Sequence, residues 1–89
     1  MEIEFDPAKD EINRQKHGIS LARAVDLEIL GFQADDRFAG ETRYRAWGLI
    51  DERAYCLAFV QREGRIRAIS LRRARDKEIR RHVPQDRLR

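Results

Sequence analysis

Arg65 to His82 reads RIRAISLRRARDKEIRRH, and this stretch decides the fold, because an apolar alternation with the period of a strand passes there into a charged run with the spacing of a helix. The spacing predicts a strand over 65–72 and a helix from about Ala74 to Val83, stopped by Pro84, with Arg75, Ile79 and Val83 four apart on one side. On that strand Arg65, Arg67, Ile69 and Leu71 should share one face, and Ile66, Ala68, Ser70 and Arg72 the other. Two runs upstream, Tyr44–Ile50 and Ala54–Gln61, are equally rich in aromatic and aliphatic residues. Asp51-Glu52-Arg53 and Arg62-Glu63-Gly64 separate the three, each short enough for a hairpin connection. The expectation is an antiparallel meander whose middle run, AYCLAFV, is apolar at both parities and therefore central.

Toward the N-terminus the signals change to helix punctuation. Ile3 and Phe5 alternate with Glu2 and Glu4 as in a short strand. Asp6 followed by Pro7 is a carboxylate cap and a ring that presets φ, so a helix should run from Pro7 to about His17, where Gly18 supplies a left-handed end. Ser20 can cap a second helix, Leu21 to about Leu30, with Leu21, Ala24, Val25 and Leu27 or Ile29 as its apolar stripe and Gly31 closing it. Phe32 to Thr42 is polar and turn-prone and reads mostly as loop, with room for a short edge strand. With 89 residues and no internal repeat or linker, a single α+β domain over 1–89 is expected: a strand and two helices, the meander, then a C-terminal helix.

The charge is two-ended. From Arg62 to Arg89 eleven Lys/Arg face four Asp/Glu, a local +7, while the preceding residues carry eight against twelve, a local −4. A basic end on a small domain points to a polyanion partner, nucleic acid first, against the plainer alternative of a solvated helix face with i,i+4 pairs. The single Cys56 sits in an apolar run and supports neither a disulfide framework nor a cysteine zinc site. No apolar run approaches a membrane span, and MEIEFD is acidic where a signal peptide is basic, so a cytoplasmic protein without membrane contact is expected.

Most enzyme signatures are missing: there is no glycine-rich phosphate loop, no GxSxG elbow and no His/carboxylate cluster of metal-ligand spacing. The residues present suit RNA cleavage without a metal or cofactor, in which the substrate supplies its own 2′-hydroxyl nucleophile and the protein a base, cationic donors and an acid. Glu78 and His82 are four apart on the last helix and can act as a proton-transfer pair or stand, as the plainer alternative, as an ordinary helix pair. Arg67, Arg72 and Arg73 can fork a phosphate or stand as solvated rim charges. His17 suits a helix C-terminus and, on local grounds, a capping role before catalysis. Lys16, Arg43, Arg75, Arg80 and Arg81 are the flanking cations expected to hold RNA, with Arg43 and Tyr44 opening the first meander strand near the same rim. Trp47 reads as core rather than as a base-stacking platform.

Five pieces in order, FDPAK (5–9), KHG (16–18), RYRAWG (43–48), RIRAISLRRA (65–74) and the glutamate Glu78, resemble the BrnT-type toxins of bacterial type II toxin–antitoxin pairs, and the likeness runs from Phe5 to about His82. The resemblance implies a RelE-like α+β fold, a ribonuclease that blocks translation, and neutralisation by a BrnA-type antitoxin of ribbon-helix-helix type, with operator DNA bound only through the joint complex. Carried over by position, it implies roles for His17, Arg43, Arg67, Arg72, Arg73 and Glu78. Two positions depart from the family pattern: Leu71 stands where a small residue is usual before the double arginine, and His82 where a tyrosine is usual near the end of the last helix. RelE-like nucleases place a C-terminal tyrosine or histidine among their catalytic groups, which implies that role for His82. The reading from another class is a non-catalytic partner or co-repressor module whose basic end binds a DNA-binding antitoxin. A housekeeping RNA-binding domain would call for exposed sheet aromatics, and only Trp47, Tyr44 and Tyr55 are available.

Overall fold

The meander forms around two two-residue turns. Asp51 and Glu52 both take positive φ, at 50° and 66°, and so do Glu63 and Gly64, at 51° and 77°; paired positive φ gives the twist that closes a tight hairpin. The computed structural model describes residues 2–37 and 40–87. In chain order it holds β1 (Ile3–Glu4), α1 (Pro7–His17), a 3₁₀ segment (Leu21–Asp26), β2 (Glu28–Asp35), β3 (Arg43–Ile50), β4 (Arg53–Arg62), β5 (Arg65–Arg73), α2 (Asp76–His82) and a 3₁₀ turn (Gln85–Arg87). The five strands make one sheet, ordered β1-β5-β4-β3-β2, antiparallel except where β1 runs parallel to β5. This is an α+β architecture with the meander at its centre. Among the described residues no helix is long and apolar enough to cross a membrane.

The first helix keeps its sequence bounds. Asp6 Oδ1 accepts from the Ala8 amide at 2.8 Å, and Gly18, at φ 73°, donates its amide to the Arg14 carbonyl. The helix lies along β5, and its one buried side chain is polar, Asn13. Beyond Gly18 the structure departs from the sequence expectation. The second helix expected from Leu21 to about Leu30 is only a 3₁₀ turn to Asp26, capped by Ser20 and by Asp10 Oδ1, which accepts from the Leu21 amide at 2.7 Å. A 3₁₀ turn repeats every three residues, so Leu21, Ala24 and Leu27 all enter the core while Val25 stays 57% exposed. The chain then becomes β2, over residues read as helix end and loop, as far as Asp35. Gly31 is a strand residue, not a helix cap. Within the stretch expected to be mostly loop, Phe38 and Ala39 lie outside the described residues.

Two apolar clusters sandwich the sheet. One face gathers Leu21, Ala24, Leu27, Ala46, Ile50, Leu57, Phe59, Ala68 and Leu71, and Tyr44, which stacks on Phe59 at 5.4 Å, belongs to this side rather than to the basic rim. The other gathers Trp47, Cys56 and Val83, with Leu30, Ala74 and Ile79. Trp47 is wholly buried, as its sequence context predicts. Helix α2 is shorter than expected, Asp76–His82, and Val83 caps it. Its C-terminal end closes directly on β2: a Cβ at Gly31 would collide with the His82 carbonyl oxygen.

A bulge in β5 corrects the face assignment of the arginines. Phe59 pairs with Ala68 and the preceding Ala58 with Ser70, so Ile69 is the extra residue and alternation slips by one there. Arg67 sits opposite Val60 and Arg72 opposite Cys56, and these two β4 residues share parity. Arg67 and Arg72 therefore stand on one face, not on opposite faces. Arg43 and Arg45, paired with Val60 and Ala58, join them on the side that carries α2.

Candidate active site

The junction of β5 with α2 meets the C-terminal end of α1. Between them opens a cleft of about 630 Å³ lined by Lys16, His17, Arg72, Arg73, Arg75, Lys77 and Glu78. Strand β5 delivers Arg72 and Arg73, the exit turn Arg75, the first turn of α2 Lys77 and Glu78, and the last turn of α1 Lys16 and His17. Five cations here face one carboxylate, so the cleft is strongly positive even with the histidine neutral.

Glu78 is fixed in place. Its Oε2 and Oε1 accept from Arg72 Nη1 and Nη2 at 2.9 and 2.7 Å, a bidentate pair, and Oε2 also accepts the Arg75 amide at 3.0 Å at the start of α2. Those partners, Arg72 first, hold its carboxyl down to about 2, so it is ionised throughout the neutral range. A carboxylate so engaged orients its arginine and carries no proton. Arg72 Nη1 also donates to the Arg73 carbonyl at 3.2 Å, while Arg73 Nε reaches the Ala54 carbonyl at 3.2 Å. The imidazole of His17 is pushed below its ordinary 6.5 by burial, then by Lys16 and Arg72. It is therefore mostly neutral at pH 7 and able to accept a proton.

Six residues singled out in the sequence, Lys16, His17, Arg72, Arg73, Arg75 and Glu78, thus line one cleft. The others do not. Arg67 lies about 15 Å further back along β5, 3.7 Å from Glu4 of β1. Arg43 opens β3 at that same far end, and Arg80, on the outer side of α2, lines neither this cleft nor its neighbour. His82 and Arg81 border an adjoining cleft of about 370 Å³ with Gln33, Arg45, Lys77 and Glu78. The Glu78/His82 pair expected from i,i+4 spacing is not a hydrogen-bonded pair: the carboxylate turns to Arg72, and the imidazole lies flat on Trp47, centroids 3.8 Å apart and planes 3° from parallel.

The clefts also take Lys77, Arg45 and Gln33, to which the sequence reading gives no role. Arg45 was legible in principle, since the alternation Arg43, Arg45, Trp47 puts it on the Trp47 face. Lys77 and Gln33 carry no sequence signal, because only the packing of α2 over β2 and β3 brings them to the clefts.

A family model described as "Ribonuclease toxin, BrnT, of type II toxin-antitoxin system" matches residues 5–78, a span that includes His17, Arg72, Arg73 and Glu78 and stops short of His82. Among solved structures, the 1.1 Å crystal structure of the Brucella abortus ribonuclease toxin BrnT aligns with a TM-score of 0.66 at 24% identity, over 85% of this chain and 99% of that one. At that identity the likeness bears on the fold. No curated protein matches the chain.

Proposed function

The chain belongs to the BrnT family of ribonuclease toxins of type II toxin–antitoxin systems, and from that premise we propose that residues 1–89 form one RelE-like domain, an endoribonuclease that cuts RNA without a metal ion. We propose further that it acts in the cytoplasm to block translation, and that a BrnA-type ribbon-helix-helix antitoxin neutralises it and carries it to operator DNA. The observation that carries the reading is the cleft in which Lys16, His17, Arg73, Arg75 and Lys77 surround an arginine held by a bidentate carboxylate.

In this mechanism neutral His17 takes the proton of the 2′-hydroxyl as its oxygen bonds to the adjacent phosphorus. Arg72, aimed by Glu78, donates to the non-bridging oxygens where charge builds in the transition state. The P–O5′ bond breaks, the departing oxygen takes a proton from an ammonium group of the cleft, Lys16 or Lys77, and the products are a 2′,3′-cyclic phosphate and a 5′-hydroxyl. A cleft whose only carboxylate is already matched by arginine repels divalent cations and favours phosphate, which supports metal-independent chemistry. Incubation of the purified protein with labelled RNA in EDTA should yield cyclic-phosphate ends, and added antitoxin should abolish them. Tight antitoxin binding with no cleavage, even with translating ribosomes present, would instead establish the co-repressor reading.

A base must be deprotonated to work, so kcat/KM should rise with pH through an apparent pKa below 6.5 and then level off, the limb belonging to His17. Glu78 titrates far below this range and adds no limb. A His17→Ala variant measured over the same pH series should lose the limb along with most activity; an unchanged limb would assign the base elsewhere.

A further inference from the structure

The second cleft adjoins the first, sharing Lys77 and Glu78 with it, and its volume of about 370 Å³ lies in the range of small-ligand pockets. Its distinctive wall is His82. Trp47, wholly buried, covers one face of the imidazole at 3.8 Å and 3°, and the half-buried His82 lines the cleft. A flat ring backed by a fixed indole loses little freedom when another flat ring settles on it, which is the physical requirement for a stacking platform. Arg45 adds to the wall: its guanidinium carbon lies 5.2 Å from the centroid of the Trp47 ring, and its Nε is buried with no acceptor among the described residues. Gln33, on edge strand β2, offers an amide with both donors and an acceptor, the equipment for reading the edge of a base.

We infer that this second cleft binds a nucleobase of the RNA next to the cleaved phosphate, with His82 as the stacking platform on Trp47, Gln33 at the base edge, and Arg45 and Arg81 at the flanking backbone. The inference deepens the reading of the first cleft as the cleavage site and rests on it. Burial, then Arg45 and Arg81, keep the His82 imidazole below its ordinary 6.5, so a neutral ring meets the base at pH 7. Its position assigns His82 to substrate selection, one residue type with one geometric task, rather than to proton transfer.

The test uses a short RNA made uncleavable by a 2′-deoxy nucleotide at the cut site, and the same RNA with one base at a time removed. Stacking predicts that removing one particular base weakens binding to the parent protein by about 5–100-fold, that the same removal costs His82→Ala almost nothing, and that His82→Phe behaves like the parent. Cleavage of intact RNA, slowed in His82→Ala, should be largely restored in His82→Phe. Equal sensitivity of the parent and His82→Ala to every missing base overturns the inference, as does a His82→Phe protein as slow in cleavage as His82→Ala. Because binding is read on a probe that cannot be cut, a parent protein that binds the probe yet never cleaves the intact RNA counts against the nuclease reading alone; a parent that does not bind the probe counts against both.

Discussion

Arg72→Ala is expected to slow RNA cleavage by about 10²–10⁴-fold, because in the proposed mechanism its guanidinium is the group aimed where charge develops. The side chain leaves β5 opposite Cys56 and turns into the larger cleft, where Glu78 occupies one donor of each terminal nitrogen and the Arg73 carbonyl takes another. Five N–H donors leave two for a phosphate. Glu78→Gln separates aiming from charge: it keeps the shape, weakens the clamp and should cost roughly tenfold in kcat, whereas Glu78→Ala frees the arginine to wander and should approach the loss seen on removing Arg72 itself. The folded-state carboxyl is depressed from 4.5 to about 2, so the clamp stabilises the fold fully above about pH 4.5 and loses that contribution as pH falls toward about 2. Thermal stability of the parent should therefore decline more steeply than that of Glu78→Gln across this window. Parent-like cleavage by Arg72→Ala and Glu78→Ala together would remove this cleft as the catalytic site.

What the sequence made legible was local. Asp6-Pro7 and Gly18 bound α1 because caps act within one turn, and the three meander runs appear within a residue of their predicted ends because turn chemistry and apolar runs mark them. Lys16-His17 and the double arginine led to one cleft for the same reason, each lying at the end of an element whose end was readable. What stayed hidden depends on partners. Three apolar residues, Leu21, Ala24 and Leu27, fit a period of 3.0 or 3.6 almost equally well, and only the seat under the sheet selects the 3₁₀ turn. Ile69 looks like any strand residue until β4 forces a bulge opposite it, and that slip alone brings Arg67 to the face of Arg72. Gly31 reads as a helix stop by itself, but its use is to let the carbonyl of His82 approach β2.

Asn13 is the residue whose weight is hardest to see in the sequence, and Asn13→Ala should lower the unfolding free energy by about 3 kcal/mol. Strand β1 pairs with β5 only at Ile66 and Arg67, so the outward backbone groups of Leu71 have no strand to meet. The Asn13 carboxamide takes that place: Oδ1 accepts the Leu71 amide at 3.0 Å, and Nδ2 donates to the Leu71 carbonyl at 2.9 Å and to the Ile19 carbonyl at 2.8 Å. The side chain is 4% exposed, so truncation leaves three backbone groups short of partners where water enters poorly. For a domain of this size the melting temperature should fall by roughly 12–24 °C. Ile12→Ala, one position earlier but 62% exposed, should cost less than about 1 kcal/mol. Activity should fall with Asn13 as well, even below the new melting point, since Asn13 and His17 are four apart on α1 and Leu71 precedes Arg72, so the same carboxamide sets the proposed base against the proposed phosphate clamp. A melting temperature within a few degrees of the parent would mean that the open edge of β5 finds its hydrogen bonds elsewhere; a large drop with unchanged kcat below it would leave Asn13 a purely structural pin.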